Sequence, residues 1–356
     1  MIRFFRKIRK RLIQGNKVVK YILYASGETL LVVVGILIAL NVNNWNEQSK
    51  TKKKIDVIFE SIKLDLVDGI NEANSLTKLY EESDSLQQLV LNNKVTDQDY
   101  RTNQRLRTLI MFYQLFWTNQ TGYDALKRNI DDIPNQYANL LSDLNQLYSR
   151  IVPAIQMNNN LVRNQLHSTL QKWATNYNWF QTSKETYTAA NDSMINFFIN
   201  DPKYKNDVRM YKMVTIDNLL MSMRQYKLWA MSSFFKINLA NGVPLTNSLI
   251  EFKNHVNEFT EIKLLKYSIS DSISRVPSNK HSFLLIKNNL NKDLYLYYRN
   301  VNGNDQLITS NRNMIGKNDM QIIGIMSNNN FLVKDINGAI LGTFNSSPRT
   351  GYLIIN

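Results

Sequence analysis

Apolar positions crowd most densely over 21–42, where a run opening at Tyr21 ends at Val42 and gives way to Asn43-Asn44-Trp45-Asn46 and a lysine cluster. A basic leader over 1–20 precedes it. Tyr21 and Trp45 lie 24 residues apart, which a helix rising about 1.5 Å per residue stretches to roughly 36 Å. A bilayer has a hydrocarbon core of about 30 Å, and Tyr and Trp prefer its two interfaces. The pattern therefore predicts a transmembrane helix over 21–46, with Tyr21, Tyr24 and Trp45 as interface anchors. Past the lysines the rhythm changes to three-and-four spacing, in Ile55, Ile58, Phe59, Ile62, Leu66, Ile70, Ala73 and Leu76, which predicts that the helix continues outward as a stalk.

Further helices follow by the same rule. Thr96-Asp97-Gln98-Asp99 looks like a capped start, with Leu106, Ile110, Tyr113 and Trp117 continuing one face. A stripe from Tyr137 through Leu144, Tyr148 and Ile155 to Leu166, Trp173 and Tyr177 predicts a long element that Pro153 kinks or splits. Two more stripes run from Val208 to Ile237 and through Ile250, Val256, Phe259 and Ile262. Such stripes must be buried against one another, so 47–267 is expected to be an antiparallel helical bundle. After a polar stretch holding Pro277, over 268–280, the chain shifts to short β-prone runs at 283–286, 294–298, 321–325, 331–333, 340–344 and 352–355. Asn302-Gly303 and Asn337-Gly338 are turn pairs between runs. The fold class expected is mainly α: a membrane helix, a helical bundle outside the membrane, and a small sandwich-like all-β domain over 281–356.

The formal charge of +14 would by itself suggest nucleic acid, but residues 1–54 hold twelve Lys or Arg against Glu28 and Glu47, which is +10 and leaves +4 for the other 302 residues. The basicity is a membrane-flank signal, and the expected partner is anionic lipid, attracted at about 1 kcal/mol per cation. No nucleic-acid partner is expected. The absence of cysteine excludes disulfides, thiolate metal sites and thiol nucleophiles. The apolar core runs on for about 20 residues without a small-residue cleavage site, against about 7 to 15 in a signal peptide, so the segment should stay attached. Eight basic residues precede the span and four lysines follow it, which orients the amino end to the cytoplasm. Phe4, Phe5, Ile8, Leu12 and Ile13 lie near one side of a basic helix suited to the headgroup layer.

Glu28 sits roughly 10 Å inward from Tyr21, deep enough that it needs a partner, a proton or a route to the interface. Two readings stay open: a proton or partner site, or a carboxylate that reaches water or pairs with Lys20 or Lys17. Gly27, Leu31, Gly35, Ala39 and Asn43 make one thin face, which fits a homo-oligomer or a membrane-protein partner, although small-x-x-x-small spacing also arises by chance. Candidate chemistry elsewhere is sparse. His167, His255 and His281 are isolated, no nucleophile elbow or phosphate-binding loop occurs, and Glu81-Glu82 and Asp131-Asp132 diverge on a helix and read as solvated surface or caps. The methionines between Met210 and Met231 and the run from Trp173 to Phe180 read as packing; Tyr295, Tyr297 and Tyr298 offer either strand formers or a stacking face for a glycan or peptide. No enzyme, cofactor or metal site is expected.

Phe4-Phe5-Arg6-Lys7-Ile8-Arg9, Lys20 to Ala25, Gly27-Glu28, Val32 to Leu40 and Asn43-Asn44-Trp45-Asn46-Glu47 together resemble an uncharacterised family of small membrane-anchored proteins from the Bacteroidota. Thr121 to Lys127, followed by Ile133-Pro134-Asn135, looks like that family's helical region. Ser26 and Thr29 depart from it, standing where bulkier apolar residues are usual, and the β module lies beyond its pattern. The resemblance implies location and architecture and no activity. The expectation is a single-pass inner-membrane protein with a periplasmic bulk acting as a scaffold or interaction protein. The alternatives are a proton-coupled, stator-like accessory using Glu28, or envelope glycan or peptide binding through the β domain.

Overall fold

The helix begun at Lys17 does not stop at Trp45 but runs to Leu91 (α1, Lys17–Leu91), with no proline to interrupt it. This is a computed structural model, and it describes residues 17–181, 190–266, 280–299, 304–308, 314–346 and 349–356, with the side chains of 17–20, 23 and 181 left aside. The leader over 1–16, nearly all of the stretch over 268–280 and the Asn302-Gly303 turn lie outside the described residues. The chain divides into two compact units, Met1–Val57 with Asp131–Ile133, and Ile58–Ile130 with Pro134–Asn356. In the first unit the apolar residues from Leu30 to Leu40 are all exposed, while Ile55 is buried.

In the second unit α1 buries Phe59, Ile62, Leu66, Ile70, Ala73, Leu76 and Tyr80, the face that the spacing predicts. The helix ends where Asn93 turns left-handed, at φ 57°, and Lys94 N–H returns to the Leu89 carbonyl. The Thr96–Asp99 capping box opens α2 (Asp97–Thr102) as expected. The helix does not then continue to Trp117. The Asn103 side chain accepts from Arg105 N–H and restarts the chain as the single turn α3 (Gln104–Arg107). Arg107 donates to the carbonyls of Tyr100 and Arg101 at 2.6 and 2.8 Å, Thr108 to Gln120 is irregular, and Trp117 is exposed.

After α4 (Thr121–Lys127), α5 (Ala138–Gln146) meets α6 (Val152–Asn176) through a wide π turn, Leu147–Ile151. That turn accommodates Pro153, whose missing N–H and ring would break a regular turn. Helix α7 (Asp192–Asn200), not among the expected elements, closes its Met194, Ile195, Phe197 and Phe198 over Trp173 and Tyr204. A second π turn, Met213–Leu220, joins α8 (Pro202–Lys212) to α9 (Met221–Ala240), and there Thr215 Oγ1 donates to the Tyr211 carbonyl. The last stripe is not one helix. Helix α10 (Leu245–His255) stops before Val256, Ile250 is exposed, Glu258 is left-handed at φ 68°, and Phe259–Glu261 is a strand, β1.

Every β-prone run becomes a strand: β2 (His281–Asn288), β3 (Leu294–Arg299), β6 (Met320–Met326), β7 (Asn330–Asp335), β8 (Ile340–Asn345) and β9 (Thr350–Ile355), joined by the short β4 (Asp305–Leu307) and β5 (Met314–Ile315). One sheet has the order β1-β9-β2-β6, with β1 and β2 parallel to β9 and β6 antiparallel to β2. The other is antiparallel, β4-β3-β7-β8 with β5 beside β3. Leu284, Ile286 and Leu353 from the first and Leu296, Phe331, Val333 and Phe344 from the second share one core, which makes a sandwich. Asn337-Gly338 turns β7 into β8, with Gly338 at φ 80°. Phe283 and Leu285 alternate with that core yet are also buried, because helix α9 covers the outer face of the first sheet.

Candidate functional site

The apolar residues of this helix from Leu30 to Leu40 are all exposed, and none of its most apolar window is buried. Tyr21, Tyr24 and Trp45 are 79%, 71% and 73% exposed, and Lys50 pairs with Glu47 at 3.1 Å just beyond Trp45. A Cβ placed on Gly27 or Gly35 would meet nothing within 4 Å, and Ala39 is exposed, so the thin face stands open. Ser26 Oγ donates to the Ile22 carbonyl at 2.7 Å and Thr29 Oγ1 to the Ala25 carbonyl at 2.9 Å. Two hydroxyls that depart from the resembled family are thus satisfied by the helix itself. Glu28 is exposed between them with no hydrogen bond or ion pair among the described residues, and the side chains of Lys17 and Lys20 lie outside those residues.

The Thr121 to Lys127 motif is a packing joint. Gly122, at the start of α4, lies so close to α1 that a Cβ there would sit 2.7 Å from Ile62 N. Its N–H donates at 2.9 Å to Asp65, which is 4% exposed. Burial pushes the Asp65 carboxyl up, while the Gly122 hydrogen bond holds it down. Asp124 pairs with Lys127, whose ammonium also lies 5.1 Å over the Tyr123 ring.

A second charged locus, which the sequence reading missed, lies where α9 covers the first sheet. Lys227 is 5% exposed, and its Nζ stands 4.9 Å over the Phe283 ring. Arg224, one turn earlier, reaches Glu81 of α1 at 3.5 Å, and Lys280 reaches the same carboxylate at 3.7 Å. Arg349, before β9, pairs with Glu258. Burial first, then Arg224 and Arg349, lowers the Lys227 amine to about 8 against the pull of Glu81 and Glu258. Burial, Arg224 and Lys227 lower His281 to about 4. Glu81 and Glu82 diverge as expected, but only Glu82 is solvated surface, reaching Arg105 at 2.8 Å; Glu81 faces this seam instead. The signal in the sequence was a lysine at a core position, between Met223 and Ala230, both fully buried.

The remaining candidates do not converge. His167 lies 6.5 Å from the Tyr113 ring and His255 Nδ1 2.8 Å from the Glu251 carbonyl, and among the described residues no three metal-binding side chains cluster. Met223 and Met231 are core, while Met210, Met213 and Met221 face out. Trp173 is core, its indole donating to Asp207. Tyr298 packs on the sandwich core, and Lys334, held by Asp305 at 2.8 Å, covers Tyr297. No curated protein matches the chain. A family of unknown function, DUF6090, matches residues 28–125, from Glu28 in the apolar helix to Ala125 in α4, in agreement with the resemblance to an uncharacterised family and with the Asp65–Gly122 joint inside the matched stretch.

Proposed function

We propose that the chain is a single-pass protein of a bacterial inner membrane, with its amino end cytoplasmic and its bulk periplasmic, serving as a scaffold or interaction protein without catalysis of its own. The observation that carries this reading is the apolar stretch of helix from Leu30 to Leu40, whose side chains stay exposed among the described residues. Each buried Leu, Ile or Val is worth about 1.5 to 3 kcal/mol, so the segment favours lipid strongly over water. Tyr21 and Tyr24 at one end, Trp45 at the other and lysines beyond both support insertion across a bilayer. The open face at Gly27, Gly35 and Ala39 supports close approach of a second helix, from another copy or a membrane partner.

The chain has no cysteine, so one introduced cysteine gives a unique probe. Ile336→Cys, in the exposed β7–β8 turn, should react with an impermeant maleimide equally in intact and lysed spheroplasts, and the protein should resist carbonate extraction. Labelling only after lysis reverses the orientation, and release by carbonate removes the anchor. Crosslinking in native membranes, read by mass spectrometry, should return a reproducible neighbour if the protein is a scaffold.

A further inference from the structure

We propose that Lys63 and Asn238 join in an intramolecular isopeptide bond, with Glu251 carrying the protons. Three helices of the second unit bring the groups together. Lys63 on α1 donates from Nζ to Asn238 Oδ1 on α9 at 2.8 Å and to Glu251 on α10 at 2.9 Å. The other Glu251 oxygen accepts from Asn238 Nδ2 at 2.8 Å, so one carboxylate spans the amine and the amide nitrogen. An ammonium only donates and a carboxylate only accepts, and these two partners therefore fix which way the amide faces. A C=O bond is about 1.2 Å long, which puts Nζ no more than about 4 Å from the Asn238 carbon, against roughly 3 to 3.5 Å in a near-attack arrangement.

The setting separates this trio from a surface ion pair. Lys63 is 5% exposed and Asn238 is fully buried. The Phe234 ring lies 5.7 Å from Nζ and packs against Phe252 at 5.0 Å, with Phe235 beside both, and all three rings are buried. Such a wall keeps out water, the nucleophile that would otherwise hydrolyse the amide. Glu60 also reaches Nζ, at 2.9 Å, but it does so from the solvent side, with its side chain 55% exposed, and has no contact with the amide among the described residues.

The reaction needs no co-reactant. Nζ passes one proton to Glu251, and the freed lone pair bonds to the Asn238 Cγ while the C=O π pair moves onto Oδ1. Glu251 gives that proton to Nδ2 and takes a second from Nζ. The pair on Oδ1 then closes again, the Cγ–Nδ2 bond breaks, and ammonia leaves with the second proton as ammonium. An ammonium side chain and a carboxamide thus become one secondary amide and one ammonium ion, and Glu251 ends as the carboxylate it began. The bond closes a loop from α1 to α9 and restricts the unfolded chain as a disulfide does, in a sequence that has no cysteine to form one.

The test weighs the full chain, purified in detergent micelles, by intact mass spectrometry. Its mass should fall one ammonia short of the sequence, and trypsin should release a branched peptide that joins residues 55–78 to 237–253 and is uncut after Lys63. Lys63→Arg, which keeps the charge and removes the primary amine, should show the full mass. Glu251→Gln should slow closure by about a hundredfold or more, the usual worth of proton transfer by a placed side chain. Glu60→Gln should leave the link in place. Helical circular dichroism matching the wild type shows that a variant without the link has lost the reaction and not the fold. A folded wild-type chain that keeps its full mass after prolonged incubation overturns the proposal, the trio then being a buried ion-pair network. So does ammonia loss that maps to an Asn-Gly pair and yields no branched peptide, and so does closure that survives Glu251→Gln but fails in Glu60→Gln.

Discussion

At the scale of single residues, the joint between Gly122 and Asp65 makes a sharp test, because it joins a steric limit to a buried hydrogen bond. Gly122→Ala pushes a methyl to within 2.7 Å of Ile62 N and should destabilise the protein by about 1 to 3 kcal/mol through overpacking. Asp65→Ala leaves the Gly122 N–H without an acceptor and should cost a similar amount, about 1 to 3 kcal/mol. Urea midpoints in micelles measure both, and an unmoved midpoint for Gly122→Ala would mean that α4 does not lie against α1. The sequence showed the motif but not its purpose, since the distance from Gly122 to Ile62 is a fact of packing. Lys227 gives a pH test of the opposite kind. Its folded pKa, about 8, lies below the unfolded value of about 10.4. Between those values the unfolded chain binds more protons, so stability should rise with pH across the window, by up to about 3 kcal/mol in all. Lys227→Met should be the more stable form at pH 7 and lose most of that advantage by pH 9.5. Higher pH is avoided because burial holds Tyr80 and Tyr100 up at about 12; the unfolded tyrosines ionise first, and stability falls again. Parallel stability curves for wild type and variant would show that the Lys227 amine is not depressed.

At the scale of elements, the long apolar helix is the part most legible in sequence, because a continuous apolar run of that length marks itself without reference to the rest of the chain. Ile36→Lys, in the middle of that helix, should cost about 2.5 to 3.5 kcal/mol of insertion free energy, and more than tenfold in the membrane-inserted fraction read by carbonate extraction. Unchanged extraction would mean that the helix does not reside in lipid. The stripes on α1, α6 and α9 were legible for a related reason: a helix must show one apolar face to its neighbours. Three failures share another cause. The Asn103 cap that ends α2, the short α7 and the strand at Phe259–Glu261 are set by local caps or distant partners that override the apolar rhythm. Phe259 keeps helical spacing from Phe252 yet leaves the helix through left-handed Glu258 to pair with Thr350, some 90 residues away.

At the scale of the second unit, that strand ties the sandwich to the helices. Phe259 stacks on Tyr352 at 5.2 Å and meets Phe252 at 4.8 Å, which in turn lies 5.1 Å from Phe235 on α9. Beside this aromatic path, the Leu265–Thr343 bridge and the Lys227 seam fasten the same two parts. None of these links could be read from one stretch of sequence, since each needs residues from both halves. They predict that helices and sandwich unfold together. All five tryptophans, Trp45, Trp117, Trp173, Trp179 and Trp229, precede the sandwich, so indole fluorescence reports the helices alone. Tyr352→Ala removes a ring from β9, far along the chain from any indole, and should lower stability by roughly 2 to 3 kcal/mol. If the two parts share one transition, the tryptophan-detected midpoint in urea falls as far as the midpoint followed by β-sheet circular dichroism. A variant in which only the circular dichroism shifts, with indole emission unmoved, would show that the sandwich melts independently and that the Phe259 path carries no coupling.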